Sequence, residues 1–389
     1  MSEHSVIQNT FRGWKMWLGV LIGFSVALWM LYTNVTAVRF IEVTDGSGTY
    51  EWFDVNQNNR VDLHLPEEFV FSERGAYRQQ KISDTLQHIH WTFYSVFWIL
   101  LAIIFAVGRD FFYMVRIRLL THKVLSWRSS FNVIMLWEFA SALSPGVMSG
   151  AAVAMFILKH EKIALGRSTA IVFVTAMMDN FFYILIIPFV FAFIDHSLLF
   201  PSEMTSSDGV KWVFWTGYLI YLFLAIFLFI SLFVFPQLAG WLLRTIFSIP
   251  VLGRFKNGAV KTGKDIELAS SELKREPLSF WLKTFAATCC SWTCRYLVIN
   301  ALLQAFLHLN FFDHVIIYGK QFVLWLFMRM SPTPGGSGIA EYAFGELLAP
   351  FSQSALLLVG LAILWRLISY FPYLFIGAFI LPRWLKKQR

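Results

Sequence analysis

The chain has 389 residues, 57% hydrophobic, 18% aromatic and 14% charged, with a mean hydropathy of +0.59. Soluble domains carry about 25% charged residues, and several apolar runs here exceed the ~18 residues that a membrane-spanning helix needs. The composition therefore defines an integral membrane protein, and the 32 Lys and Arg against 24 Asp and Glu sit in short loops beside apolar runs, which fits cytoplasmic loops near anionic lipid rather than nucleic-acid binding.

Arg12 and Lys15 open the first apolar run, Trp14–Thr33. It is too long for a signal-peptide core and lacks an A-x-A site, so residues 1–37 read as an uncleaved anchor with a cytoplasmic N-terminus. Residues 38–90 form a polar insert with strand-like alternation around Tyr50–Val55, expected as a small extracytoplasmic cap. Within it, Asp54, Asn56, Asn58 and Asp62 resemble the start of a calcium loop. Asn59 stands where glycine is wanted and Leu65 where a bidentate Glu is wanted, so an Asx-rich turn is the simpler reading.

Trp91–Val107 reads as the second span, ending at Gly108-Arg109-Asp110, with Arg116, Arg118, Lys123 and Arg128 in a cytoplasmic loop. Phe131–Leu158 is interrupted at Ser144-Pro145-Gly146 and followed by Lys159, Lys162 and Arg167. Both ends are basic, so a hairpin that dips into the membrane is expected. Thr169–Ile194 crosses outward, Trp212–Leu243 returns to a basic loop at 244–280, and Phe280–Leu307 crosses outward again. A second broken segment, 314–350, has no Lys or Arg in its flanking loops, so both of its ends read as external. Leu356–Leu381 runs inward to a basic tail at 383–389. The expected fold is an all-α polytopic membrane protein with six full spans and two oppositely oriented re-entrant helical hairpins. Val315–Met330 alone is almost long enough to span, which leaves a seven- or eight-span count open.

The second break reads Ser331-Pro-Thr-Pro334-Gly335-Gly336-Ser337-Gly338-Ile-Ala-Glu341. Prolines and glycines at this density forbid a continuous helix. At membrane depth the freed backbone groups must be buried in protein or line a wet cavity. The two broken segments also share L-W-x-F before S-P: Leu136-Trp137-Glu138-Phe139 before Ser144-Pro145, and Leu324-Trp325-Leu326-Phe327 before Ser331-Pro332. Each is flanked by one span on either side. An inverted repeat over about 91–194 and 280–382 is expected.

In such a repeat the hairpin tips turn helix N-termini toward a central cavity, a setting for an anion. Arg295 and Arg366 lie mid-span and Arg329 lies beside the tip. Three arginines that stay charged when buried point to a phosphate-bearing substrate, held with Ser144, Pro145, Gly146, Pro334, Gly335, Gly336, Ser337 and Gly338. Structural pairing with Asp179, Glu138, Glu341 or Glu346 is the competing reading for each arginine. Glu341 reads as a helix cap or as a proton-coupling carboxylate, with Asp179 and Glu138 as further candidates.

No enzyme motif is complete. Gly258 to Asp265 nearly matches a P-loop but lacks its Ser or Thr; His160-Glu161 lacks a second zinc histidine; no G-x-S-x-G occurs. His88 and His90 read as interfacial. Cys289, Cys290 and Cys294 share one span and imply neither a disulfide framework nor a zinc site. No cofactor is expected.

Ser331 to Glu341 resembles the P-x-P-G-G-x-G-x-x-E signature of the lysylphosphatidylglycerol synthase transmembrane-region (flippase-like) family, and Ser144-Pro145-Gly146 through Gly150 with Leu165-Gly166-Arg167 is similar to that family's first glycine-rich hairpin. The likeness covers roughly residues 91–382. It implies a multi-pass protein of the bacterial cytoplasmic (inner) membrane, with both termini cytoplasmic, that moves an anionic or phosphate-bearing lipid between leaflets. The chain stops at Arg389, without the soluble aminoacyl-transfer domain or the glycosyltransferase domain of some relatives, so lipid aminoacylation by this chain alone is not expected. The alternatives are a membrane enzyme acting on lipid phosphate or glycan groups, and a non-transporting partner of a lipid-modifying synthase.

Overall fold

The computed structural model describes residues 38–43, 46–57, 65–80, 91–143, 149–200, 207–235, 269–331, 333–336, 339–352 and 355–386, with a few isolated positions. The expected anchor run and most of the basic loop at 244–280 lie outside the described residues, as do His88, His90 and the P-loop-like stretch.

The insert is a small antiparallel sheet. Strands β1 (Arg39–Glu42), β2 (Gly48–Trp52), β3 (Phe69–Gly75) and β4 (Tyr77–Gln80) lie in the order β1-β4-β2-β3. Phe40 stacks on Phe69 at 4.0 Å between ring centroids, and Tyr50 meets Phe40 edge-on at 5.0 Å. Buried Glu68 accepts from Trp52 Nε1 (3.0 Å) and from Asn56 Nδ2 (2.6 Å). Asn56 thus takes part in a structural hydrogen bond within the calcium-like stretch, while Asn58 and Asp62 fall outside the described residues. Among the described residues no three His, Cys, Asp or Glu side chains gather as a metal site.

The rest of the described chain is helical. Helix α1 (Phe93–Leu120) starts at Thr92, whose side chain accepts from Ser95 N. Next come α2 (Trp127–Leu143), α3 (Ser149–His160) and α4 (Leu165–Phe193). After a single turn at His196–Leu199 follow α5 (Ser207–Phe229), α6 (Leu278–Phe306) and α7 (Phe311–Met330). The chain ends in α8 (Ile339–Leu348), α9 (Ala355–Ser369) and α10 (Phe371–Lys386). Among the described residues four stretches are long and apolar enough to cross a membrane: Phe93–Leu120, Leu165–Phe193, Lys211–Val234 and Leu357–Leu385.

Two boundaries differ from expectation. The second span does not stop at Val107: α1 runs on to Leu120, so Arg109 and Arg116 are not loop residues. They are 2% and 6% exposed, because other helices supply acceptors for them. The expected Leu356–Leu381 span is present as Leu357–Leu385, ending later than expected and divided into α9 and α10 at Tyr370, where Pro372 removes a backbone donor.

The two broken segments fold as tight helix pairs. A Cβ on Gly150 of α3 would stand 2.0 Å from Ser141 Oγ of α2, so the chain turns back on itself across the first break. A Cβ on Gly336 would stand 3.1 Å from Met328 Cβ of α7, as required where α8 folds back on α7. Each pair belongs to its own apolar core. One core joins α2 and α3 to parts of α1, α4 and α10 through residues such as Ile117, Met135, Ile171 and Tyr373. The other joins α7, α8 and α9 to parts of α4, α5 and α6 through Tyr183, Leu302, Phe322 and Phe344. Helices α1 and α6 pack against each other along their lengths and tie the cores together.

Another close helix approach is at Gly377 of α10, where an added Cβ would lie 2.4 Å from Phe139 Cβ on α2. Overpacking a rigid contact costs roughly 1–3 kcal/mol. Gly377→Ala is therefore expected to lower the thermal midpoint in detergent, and Phe139→Ala in the same background to recover part of the loss.

Candidate functional site

A cavity of about 430 Å³ lies between the two broken segments. Arg116, Arg295, Arg329, Arg366, Glu138 and Asp179 all line it, with Ser331, Thr333, Gly335 and Gly336 of the second break. The structure thus brings all three arginines singled out in the sequence to one space, with two of the three carboxylates. Ser144, Pro145, Gly146, Ser337 and Gly338 lie outside the described residues, and of Pro334 only the backbone turn is described.

The second break is shaped by its sequence. Met330 ends α7; Ser331 N still bonds to Phe327 O at 3.1 Å. Ser331 Oγ accepts from Thr333 N at 3.2 Å, and Gly336 N closes a turn onto Thr333 O at 3.1 Å. Gly335 and Gly336 have φ of +61° and +68°, the left-handed region that favours glycine. A Cβ at Gly335 would also lie 2.3 Å from the Tyr370 ring. Tyr370 lies between the two breaks: its ring packs on Gly335 and its hydroxyl donates to Ala142 O at the end of α2 (3.1 Å).

Three buried arginines have carboxylate partners. Arg366 is 4% exposed; its Nε donates to Glu341 Oε1 at 2.8 Å and its Nη1 to Gly335 O at 2.9 Å. Its Nη2 is buried without a partner among the described residues. Glu341, in the first turn of α8, thus holds the hairpin to α9. Arg116 Nη1 lies 2.5 Å from Asp179 Oδ1 and donates to Thr288 Oγ1 at 3.2 Å; Trp292 Nε1 donates to the same Asp179 oxygen at 2.9 Å. Arg109 Nη2 stands 2.7 Å from Glu138 Oε2, close as an ion pair though not aligned as a hydrogen bond. Its Nη1 donates to Tyr373, whose hydroxyl donates to Asp110 at 3.1 Å. The partners of Asp179 and Glu138 are therefore Arg116 and Arg109, not the three arginines for which pairing was considered.

Arg295 and Arg329 differ. Among the described residues no carboxylate lies within 4.0 Å of either. Arg329 lies 4.3 Å from the Trp325 ring centroid and 5.2 Å from that of Tyr221; Arg295 lies 5.0 Å from that of Trp292. Aromatic faces attract a guanidinium without neutralising it. The rings are fixed in turn: Tyr183 stacks on Trp325 at 3.8 Å and shares a 2.7 Å hydroxyl hydrogen bond with Tyr296. Among the described residues the lining arginines outnumber the lining carboxylates four to two, a positive excess.

Sequence reasoning missed Arg109, Arg116, Tyr373 and the tryptophan rings. One signal was available. Arg109, Tyr113 and Arg116 recur at helical spacing in line with Ala102 and Ala106, all buried on one face of α1.

Fold and site together define a helical membrane protein with a charged, aromatic-walled cavity between two broken helix pairs. The model of the lysylphosphatidylglycerol synthase TM region matches residues 79–377, and the chain belongs to that family. It is 23% identical over 292 residues to a UPF0104 membrane protein of Archaeoglobus fulgidus, an alignment that covers 72% of this chain and 85% of that protein. No solved structure matches the chain.

Breaking a buried ion pair leaves an uncompensated charge and costs roughly 3–5 kcal/mol. Asp179→Ala is expected to destabilise the protein strongly in detergent. Arg116→Leu in the same background should restore much of the loss, which a double-mutant cycle of unfolding free energies would reveal as positive coupling.

Proposed function

We propose that this protein moves a phosphate-bearing lipid between membrane leaflets. The observation that carries this is the pair Arg295 and Arg329: two guanidiniums facing a cavity without a carboxylate partner among the described residues. Burying an unneutralised cation is costly, and an anionic ligand offsets that cost. A guanidinium matches phosphate with two parallel donors. The buried Nη2 of Arg366 is a further donor for the same ligand. About 430 Å³ suits a head group and not a whole lipid, whose acyl chains would leave between helices.

In this reading the two broken pairs are re-entrant hairpins that enter from opposite faces, within six full spans and an inverted repeat. The separate apolar core around each pair supports that reading. So do the Tyr370 contacts that join the break at Gly335 to the end of α2. The repeats rock against each other, and Tyr370 and Arg366, which touch the break, exchange partners as access alternates. Asp179 and Glu341, each gripped by an arginine, would feel that exchange and are the carboxylates through which protons would couple. In this reading both termini are cytoplasmic and the membrane is a bacterial inner membrane; the excess of Lys and Arg in the loops read as cytoplasmic supports the orientation. The substrate is an anionic lipid; a lipid-modifying enzyme that supplies it is the expected partner.

Leaflet exchange of a fluorescent phosphatidylglycerol in proteoliposomes tests this. The native protein should accelerate exchange with the lipid mass unchanged. Arg295→Ala and Arg329→Ala should each cut the rate at least about tenfold, the loss of one charge-assisted contact of about 1.5–3 kcal/mol. Exchange no faster than in empty vesicles, or a chemically altered lipid, would contradict the reading.

A further inference from the structure

The groups that line the cavity already answer one another where a positively charged head group would need them. Among the described residues its two lining carboxylates, Asp179 and Glu138, stand 2.5 and 2.7 Å from Arg116 and Arg109. Aromatic faces are the other resting place for an ammonium. The lining rings of Tyr113, Trp292, Trp325, Trp365, Tyr370 and Tyr373 each have a guanidinium 4.3–5.2 Å from the centroid. A further cation at any of them would sit beside that arginine, and like charges at such range repel. Arg295 and Arg329, with no carboxylate within 4.0 Å among the described residues, add to the repulsion.

Asn180 and Trp137 are neutral and unspent. Asn180, on α4 beside Asp179, lines the cavity, is 3% exposed and has no hydrogen-bond partner among the described residues. Its amide keeps accessible surface, unlike Thr175 Oγ1 and Gln321 Oε1 on two other lining residues, which are sealed in. The Gln321 amide is also committed elsewhere: its Nε2 donates to Asn300 Oδ1 at 2.8 Å, and Asn300 Nδ2 donates to His314 O at 2.9 Å. Trp137, on α2, lines the cavity half-buried. Among the described residues no guanidinium lies over its ring and its Nε1–H has no acceptor.

A free amide offers both N–H donors and a carbonyl acceptor. An ionised phosphate only accepts, so it leaves Asn180 Oδ1 unanswered. An ammonium only donates, so it leaves the Asn180 N–H groups unanswered and adds to the positive excess. A hydroxyl does both. A polyol carries several hydroxyls on a carbon frame, and an indole offers such a frame an apolar face with one donor at its edge. We infer that the cavity selects a phosphate ester of a neutral polyol, a glycerol or sugar head group, and rejects head groups that carry an ammonium, with Asn180 reading the polyol hydroxyl. Arg295 and Arg329 hold the phosphate, and the neutral groups on α2 and α4 hold what the phosphate bears. The inference deepens the lipid-translocase reading and rests on it for the presence of a lipid in the cavity.

Three short-chain lipids titrated calorimetrically into the full-length protein in micelles test this. Dihexanoyl phosphatidylglycerol, phosphatidylethanol and phosphatidylethanolamine share phosphate and acyl chains, and differ in bearing hydroxyls, a bare ethyl group or an ammonium. Phosphatidylglycerol should bind about tenfold tighter than phosphatidylethanol, the worth of one or two hydrogen bonds. Phosphatidylethanolamine should bind more weakly than either. Asn180→Leu should bring the ratio of the first two affinities close to one, and Asn180→Ser, which keeps a smaller donor and acceptor, should retain part of it. Equal binding of phosphatidylglycerol and phosphatidylethanol by the native protein, or phosphatidylethanolamine binding as tightly as phosphatidylglycerol, would overturn the selection whatever the variants do. A native ratio in Asn180→Leu would overturn the role of Asn180. If the affinities fall in the expected order but fluorescent phosphatidylglycerol does not change leaflet, the selection stands and the translocase reading fails. If the lipid exchanges while the affinities are equal, the reverse holds.

Discussion

A guanidinium buried among apolar helices must find an acceptor, because it cannot shed its charge. That constraint organises this bundle. Arg109 on α1 is answered by Glu138 of α2, with Tyr373 of α10 accepting and Asp110 beside it. Arg116, two turns on, is answered by Asp179 of α4 and Thr288 of α6. Arg366 of α9 is answered by Glu341 and by a carbonyl of the broken segment. Arg109–Glu138 and Glu341–Arg366 tie consecutive helices together, while Arg116–Asp179 joins α1 to α4. Among the described residues Arg295 and Arg329 have no carboxylate within 4.0 Å; they lie against ring faces and line the cavity. The functional reading follows from that imbalance.

The glycines determine how closely the parts approach. Gly150 lets α3 lie on Ser141, Gly335 lets the second break lie on the Tyr370 ring, and Gly377 lets α10 lie on Phe139. Tyr370 then spans from one broken pair to the other through its ring and its hydroxyl. A side chain that touches both broken pairs couples their packing, since packed contacts switch between discrete states and do not stretch.

Some of this was legible in the sequence and some was not. Local chemistry was legible. Two prolines and three glycines between Ser331 and Gly338 can only break a helix, and an arginine in the middle of an apolar run, such as Arg295, must have a reason to be there. Partner choice was not legible. Arg109 and Arg116 looked like loop charges, because a basic cluster after an apolar run is the ordinary mark of a cytoplasmic end. Their carboxylates lie on α2 and α4, and nothing local predicts a contact across such separations. The same holds for the chain from Gln321 through Asn300 to His314, whose members are scattered polar residues in otherwise apolar helices. Of the insert's strands, β2 was legible from alternation around Tyr50, whereas β1, β3, β4 and the order β1-β4-β2-β3 depend on long-range pairing.

The central claim is that the arginine-lined cavity is reached in turn from the two sides of the membrane. The most direct measurement labels single cysteines at Ala142 and Thr333, which both line the cavity, in a background where Cys289, Cys290 and Cys294 are replaced. Impermeant thiol reagents would be applied from each face of sealed proteoliposomes of known orientation. The account predicts slow labelling of both positions from both faces, and protection when short-chain phosphatidylglycerol is added. Fast labelling of both positions from one face only, with no protection by lipid, would mean that the breaks are surface turns and that the cavity is not a passage.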